Sequence, residues 1–540
     1  MRENRDAVGP EEPGQRTTIG HHAAVVATAI LLSRVAGLVR DRAFAYYFGN
    51  SDAADAFRAA FRIPNFLQNL FGEGVLSASF IPVYVRLLVR KEDEEADRVA
   101  SAIFCLLSLL LSCLVFIGVL AAPLLIDAIA PGFQGGKRES TISLVRILFP
   151  GAAILTLSAW CLGILNSHRK FFISYAAPVA WNLAMIASLV GFGNRLESFP
   201  LAKAVAWGSV VGSLLQFGVQ LPQVVRLLRR FFITTGLGIE NVRTVIRNFL
   251  PVFFSRGVVQ ISAYIDALLA SFLPTGALSA LTYAQTLYVL PVSLFGMSVS
   301  AAELPAFSSA LGEAEAVHSY LRNRLNAGLR QIAFFVIPSA MAFLALGDVI
   351  AGAIYQTGRF TRSDSIYVWA ILGGSAIGLL ATTLGRLYAS LYYALRDTRT
   401  PLYYAVLRVF LTGVLGYLCA LPLPPLLGLD PRWGVAGLTA SAGICGWLEL
   451  ILLRNSLKGR IGRTGLPASL VTKLWIAAAT GAAAGWCGKL TMNPDHPIPL
   501  AIVTLGLYGI AYFGVALLFR IPEAQGIINK LARFIKSGRI

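Results

Sequence analysis

The densest set of groups able to do chemistry in this sequence is Asp55, Arg58, Arg62, Asn65, Asn69 and Glu73. Their steps are three or four residues, so on a helix they fall into a single polar stripe. Just upstream, Arg34 and Asp41 lie seven residues apart and share a face, while Arg40 stands about 120° away on an ideal helix. Guanidinium, carboxylate and carboxamide groups in this pattern suit binding better than bond-making. A guanidinium fork donates two parallel hydrogen bonds and matches phosphate oxygens. Full neutralisation by pairs such as Arg40–Asp55 or Arg62–Glu73 is the alternative reading, against which stands the excess of arginine over carboxylate. No nucleotide-binding, hydrolytic or metal-ligating motif accompanies the stripe. Neither catalytic residues nor a metal site are therefore expected.

The elements that carry these residues are transmembrane helices. The chain is 56% hydrophobic with 14% charged residues, far below the roughly 25% of soluble domains, and its mean hydropathy is +0.66. Apolar runs rich in Leu, Ala, Gly and Val reach the roughly 20 residues that a helix needs to cross the hydrocarbon, and they lack the alternation of barrel strands. Hydropathy predicts fourteen spans, at roughly 23–48, 53–85, 99–131, 142–167, 173–193, 200–225, 248–273, 278–311, 330–355, 363–395, 401–421, 433–453, 470–490 and 498–520. Charges inside spans are costly and mark function by default. The basic ones are Arg34, Arg40, Arg42, Arg58, Arg62, Arg146, Arg256, Arg386 and Arg408; the acidic ones are Asp41, Asp55, Glu73, Asp266, Glu303, Asp348 and Glu449.

The net charge of +18 reads as topology, not nucleic-acid binding. Loops on the N-terminal side hold about 29 Lys and Arg and those on the other side about 8, which predicts that both termini are cytoplasmic. The six cysteines lie in or beside apolar blocks without a CxxC pair, so no disulfide framework is expected. Residues 1–22 lack a signal-peptide pattern and are read as a cytoplasmic tail. A weak repeat at an offset of roughly 225 residues relates spans 1–6 to spans 7–12. Pro64…Pro82 answers to Pro291…Pro305, and Asn166-Ser-His-Arg169…Ala-Pro178 to Tyr393-Ala-Leu-Arg396…Pro401. The expected organisation is an N-lobe over 23–230, a C-lobe over 231–458, two further helices over 459–520 and a basic cytoplasmic tail over 521–540. With an even number of spans in each half, the binding site is expected between the lobes.

Several of these segments resemble the N-terminal signature of the MurJ/MviN lipid II flippases, in the multidrug/oligosaccharidyl-lipid/polysaccharide exporter superfamily. They are Ser33-Arg34-Val-Ala-Gly37-Leu-Val-Arg40-Asp41, Ala54-Asp55-Ala-Phe57, Arg62-Ile-Pro64-Asn65, Phe71-Gly-Glu73-Gly74 and Phe80-Ile-Pro82. Ala130-Pro-Gly-Phe133, Tyr355-Gln356-Thr-Gly358-Arg-Phe360 and Arg396-Asp397…Thr400-Pro401 add to the likeness, which runs from about residue 23 to 520. The resemblance implies fourteen helices, two six-helix lobes around a central cavity, and cavity roles for Arg34, Arg40, Asp55 and Arg386. It implies lipid II as cargo, an undecaprenyl diphosphate carrying a disaccharide-pentapeptide. The chain departs from the family pattern at Gln68, where a further arginine is common, and at Thr286 and Val289, where arginine and glutamate often stand. In some members sodium is implied on the seventh and eleventh helices. Asp266 is present here, but span 11 carries Arg408 and no Asp or Asn.

The expectation is thus an all-α polytopic protein of the bacterial inner membrane, not an enzyme, that flips lipid II from the cytoplasmic to the periplasmic leaflet by alternating access. Its substrate-binding set is Arg34, Arg40, Asp55, Arg58, Arg62, Asn65, Glu73, Arg256 and Arg386, the last two supplying charge from the second lobe. No cofactor is expected; membrane potential or a monovalent cation is the expected energy source. The expected partners are lipid II or a similar undecaprenyl-diphosphate lipid, membrane lipids and cell-wall synthesis proteins. The alternatives are a flippase for another polyprenyl-diphosphate-linked oligosaccharide, such as an O-antigen unit, a drug/cation antiporter, and a non-transporting scaffold.

Overall fold

The computed structural model describes residues 13–309, 314–492 and 496–536. Within these, side chains at 13–27, 64, 73–74, 252, 254–263, 314 and 530–536 lie outside the described set. Fourteen long helical stretches follow one another: α1 (Pro13–Phe48), α2 (Asp52–Val89), α3 (Asp93–Leu120), α4 (Gly135–Ser167), α5 (Phe171–Phe192), α6 (Ser198–Leu227), α7 (Glu240–Ser271), α8 (Ala277–Ser308), α9 (Ala314–Tyr355), α10 (Arg362–Ala394), α11 (Arg399–Ala420), α12 (Pro431–Ile461), α13 (Ala468–Thr491) and α14 (Pro497–Leu518). A shorter amphipathic helix, α15 (Pro522–Lys536), ends the described chain. Twelve of these are long and apolar enough to cross a membrane among the described residues. The first and seventh expected spans coincide with α1 and α7, which have the length but are not among those twelve.

Proline and glycine decide where the predicted spans depart from continuous helices. The 53–85 span is a helix broken at Gly72 and again at Phe80. Gly72 leaves the helical region with ψ −145°, and a Cβ there would stand 2.2 Å from the Gln68 carbonyl oxygen. The 99–131 span ends at Leu120, and a separate short helix, Ala122–Ile129, follows. Pro123 has no N–H to give to the Val119 carbonyl; Arg146 donates its Nε to that oxygen at 3.3 Å instead. In α9, Pro338 likewise leaves the Phe334 carbonyl without its helical donor, and the Tyr512 hydroxyl fills the gap at 2.5 Å. Inside a bilayer such carbonyls have no water to turn to, so side-chain donors take over.

The chain forms two compact units. One holds Met1–Tyr47, Ala56–Ile129 and Gln134–Ile261; the other holds Phe48–Asp55, Ala130–Phe133 and Ser262–Ile540. In the first, α3 packs on α4, α4 on α6, and α5 on α6. In the second the same pairings recur six helices later, as α9 on α10, α10 on α12, and α11 on α12, with α13 and α14 packed together and against α9. This is the internal repeat expressed as packing. The first unit's core gathers Trp160, Phe80, Tyr84 and Val99, with the Trp160 indole donating to the Ala100 carbonyl at 3.1 Å. In the second unit, α10 and α12 meet backbone to backbone, since a Cβ on Gly378 would come within 2.3 Å of Gly443 Cα.

Four helix ends share an unusual feature. Among the described residues, the non-glycine positions with left-handed backbone are Lys91, Arg169, Arg396 and Arg520, at φ 52–60°. Each closes its helix with the same two backbone bonds, for example Arg169 N to Asn166 O with Lys170 N to Leu165 O, and Arg396 N to Tyr393 O with Asp397 N to Tyr392 O. This is the C-terminal motif that normally takes glycine. Arg169 and Arg396 occupy matching places in the two repeats. All four follow even-numbered helices.

Candidate functional site

The α1–α2 pair builds a charge cluster in the first unit. Asp41 is buried, and its Oδ1 accepts from Arg40 Nη2 at 3.0 Å and from Arg58 Nη2 at 3.4 Å. Arg40 Nη1 donates to Asn182 Oδ1 on α5 at 3.1 Å, and its guanidinium lies 4.9 Å from the centroid of the Trp181 ring. Arg58 lies 4.5 Å over Phe44. One carboxylate therefore faces two guanidinium groups, each leaning on an aromatic face that stabilises cations. Asn182 and Trp181 are fixed in turn: Asn182 Nδ2 donates to the Pro178 carbonyl at 3.0 Å and Trp181 Nε1 to Ser209 Oγ at 3.2 Å. Arg40, which the sequence set apart from the Arg34–Asp41 face, reaches Asp41 sideways from the neighbouring position.

Further along α2 the stripe reaches a cavity of about 660 Å³ in the same unit. Gln68, Asn69 and Ser77 of α2 line it with Ser158 of α4, Ser174 at the start of α5 and Gln216 of α6. From Arg58 to Asn69 is eleven residues, or about 16 Å along a helix. Behind the wall, Ser158 Oγ donates to Gln220 Oε1 at 2.7 Å and accepts from Gln216 Nε2 at 3.0 Å. Pro178 belongs both to this cavity and to the Arg40 cluster, through Asn182. Sequence reading passed over Asn182, Trp181, Ser158, Gln216 and Gln220. Gln216 and Gln220 sit four apart in an apolar span, so one polar face was available as a signal.

The other expected site residues fall as follows. Arg62 is half-buried and Asn65 exposed on α2; Arg34 and Arg386 are exposed on α1 and α10. Neither Arg34 nor Arg386 has an ion-pair partner among the described residues. The side chains of Glu73 and Arg256 lie outside the described residues. Asp55 belongs to the second unit, where it is buried and caps α8: Gly276 N donates to Oδ2 at 2.8 Å, while Ser279 N and Oγ donate to Oδ1 at 2.8 and 2.7 Å. Its described bonds are structural, and Arg40 turns to Asp41. Three further embedded acids have ion-pair partners: Arg324 with Glu303 at 2.7 Å, Lys489 with Asp348 at 2.7 Å and Arg408 with Glu449 at 2.9 Å.

Known proteins agree with this architecture. The family model described as lipid II flippase MurJ matches residues 44–495. A lipid II flippase MurJ of Burkholderia cenocepacia is 30% identical over 504 residues, covering 90% of this chain and 94% of that protein. A probable lipid II flippase MurJ of Rhizobium meliloti is 28% identical over 528 residues, covering 95% and 96%. Among solved structures, a lipid II flippase MurJ in an inward closed conformation superposes with a TM-score of 0.74 at 24% identity, over 92% of this chain and 99% of that one. An inward-facing multidrug resistance MATE transporter gives 0.63 at 16%, over 81% and 98%. At such identities these two structures speak for the fold alone. With the family model spanning most of its length, this chain belongs to the lipid II flippase MurJ family.

Proposed function

We propose that this protein is a lipid II flippase that carries the undecaprenyl-diphosphate-linked peptidoglycan precursor from the cytoplasmic to the periplasmic leaflet by alternating access. Beside its family membership, one observation carries the reading: Arg40 and Arg58 converge on the buried carboxylate of Asp41, so the first unit gathers guanidinium groups side by side on its membrane helices. A diphosphate offers the oxygens that such forks bind. A cationic drug would meet repulsion there, which disfavours the antiporter. Arg34, Arg62 and Arg386 place further guanidinium groups on α1, α2 and α10.

The protein resides in the bacterial inner membrane with both termini cytoplasmic. The four left-handed helix ends support this orientation. Each puts Lys or Arg where glycine costs less, after an even-numbered helix, and the cytoplasmic face is where basic residues anchor a span. Export is driven by the membrane potential: each negative charge moving outward from a negative interior gains about 2.3 kcal/mol per 100 mV.

The test is translocation of labelled lipid II in vesicles carrying the purified protein. Arg58→Ala and Arg62→Ala are expected to stop translocation, and to fail to support growth of a flippase-depleted strain, at normal protein levels. Wild-type rates with both variants would refute the site. An imposed potential is expected to change the wild-type rate; a rate indifferent to it would remove the potential as driving force.

A further inference from the structure

The cavity in the first unit is chemically unlike the cluster beside it. Gln68, Asn69, Ser77, Ser158, Ser174 and Gln216 present amides and hydroxyls, and no charged side chain lines it among the described residues. Its volume of about 660 Å³ falls within the roughly 300–1,000 Å³ of small-molecule sites. The polar wall is deep: Gln220 is 1% exposed, and its Nε2 has no hydrogen-bond partner among the described residues. Leu155, Ala159 and Leu162 supply an apolar strip on the same wall.

That combination selects a class of ligand. Phosphate or a peptide carboxylate calls for cations, which the described wall lacks. A purely apolar chain would leave the amides unpaired at a cost of about 1–3 kcal/mol each. A sugar presents what the wall can match: hydroxyl and amide groups that both donate and accept, as primary amides do, together with C–H faces for the apolar strip. At the matching helix pair of the second unit, α10 and α12 approach backbone to backbone at Gly378 and Gly443.

We infer that this cavity is a carbohydrate subsite that receives the uncharged disaccharide of the cargo while the diphosphate rests on the Arg40–Arg58 cluster. The inference rests on the proposed function and adds a division of labour to it: charge recognition on α1 and the first half of α2, sugar recognition on the second half of α2 with α4 and α6.

The experiment measures binding of intact purified protein to undecaprenyl diphosphate, to its disaccharide derivative with the peptide replaced by a simple amide on the lactyl carboxyl, and to lipid II, by native mass spectrometry. Wild type is expected to bind the two sugar-bearing lipids at least about tenfold more tightly than undecaprenyl diphosphate. Gln216→Leu and Gln68→Leu are expected to erase that difference and leave undecaprenyl diphosphate binding unchanged. Gln68 is half-buried on the cavity wall, so its variant tests the subsite even where Gln216→Leu misfolds. A wild-type preference that needs the peptide, or that survives both substitutions, overturns the subsite and leaves the flippase reading intact. Failure of wild type to bind any of the three lipids overturns both.

Discussion

Asp55 holds Ser279 twice, through the backbone N–H and the hydroxyl, and holds Gly276 once, so a single carboxylate closes the N-terminus of α8 from a position 224 residues earlier in the chain. The positive end of the helix favours the negative charge, and the free N–H groups of the first turn need an acceptor. Gly276 has φ +86°, and an added Cβ would meet the Asn50 carbonyl at 2.8 Å. The turn is therefore built for close approach.

From this contact, Asp55→Ala should destabilise the purified protein more than Ser279→Ala does. Removing the hydroxyl loses one bond to a charged acceptor, about 1.5–3 kcal/mol, whereas removing the carboxylate also strands buried N–H groups. Thermal unfolding in detergent ranks the two. Equal melting temperatures for both variants would contradict the capping role.

Asp41 and Arg58 should behave oppositely in fold and transport. Asp41→Asn removes the buried carboxylate on which Arg40 and Arg58 converge, which is expected to cost about 3–5 kcal/mol and lower protein yield. Arg58→Gln keeps the Arg40–Asp41 pair at 3.0 Å, so the fold should persist while lipid II translocation falls. Yield and vesicle translocation, measured side by side, decide it; a stable, fully active Asp41→Asn protein would count against the shared-carboxylate arrangement.

Asp397 makes an acid-sensitive staple between α10 and α11. Its carboxylate accepts from Thr400 N at 3.0 Å, from Thr400 Oγ at 2.7 Å and from Arg460 Nη2 at 2.6 Å. Chiefly through the Thr400 bonds, its pKa is held down to about 2 against an ordinary 3.8. A depressed carboxylate pKa contributes stability above the unfolded value and loses it as the pH falls through the folded one. The loss should therefore lie between about pH 4 and pH 2, and Asp397→Asn should flatten stability across that window. Acid unfolding curves that superimpose would show that Asp397 contributes nothing.

The left-handed basic residues predict a simple ordering. At Arg169 and at Arg396, substitution by Gly should give a more stable protein than substitution by Ala, by about 1 kcal/mol, because both remove the charge and only Gly removes the backbone strain. Melting temperatures of the four variants check this. Alanine equal to glycine at both sites would mean that the backbone there is relaxed.

The sequence by itself determined the class and much of the local order of this protein. Long apolar runs can only be helices in lipid, because each backbone group must be satisfied within its own segment. The three- and four-residue spacing of Arg58, Arg62 and Asn65 put one polar face on α2 whatever that face meets. The repeat was legible too, and it returned as the same helix pairings in both units and as matching left-handed ends at Arg169 and Arg396. What only the tertiary structure decided was partnership. Nothing in the spacing says that Asp41 serves Arg40 and Arg58 together, that Asp55 turns away to cap α8, or that Arg146 answers the carbonyl freed by Pro123. Nor does it say that Ser158, Gln216 and Gln220 meet behind a cavity. Local pattern follows from the geometry of one helix. Which buried groups satisfy one another depends on helices far apart in the chain, and burial alone forces the choice, since an unpaired polar group in the bilayer costs more than almost any bond that relieves it.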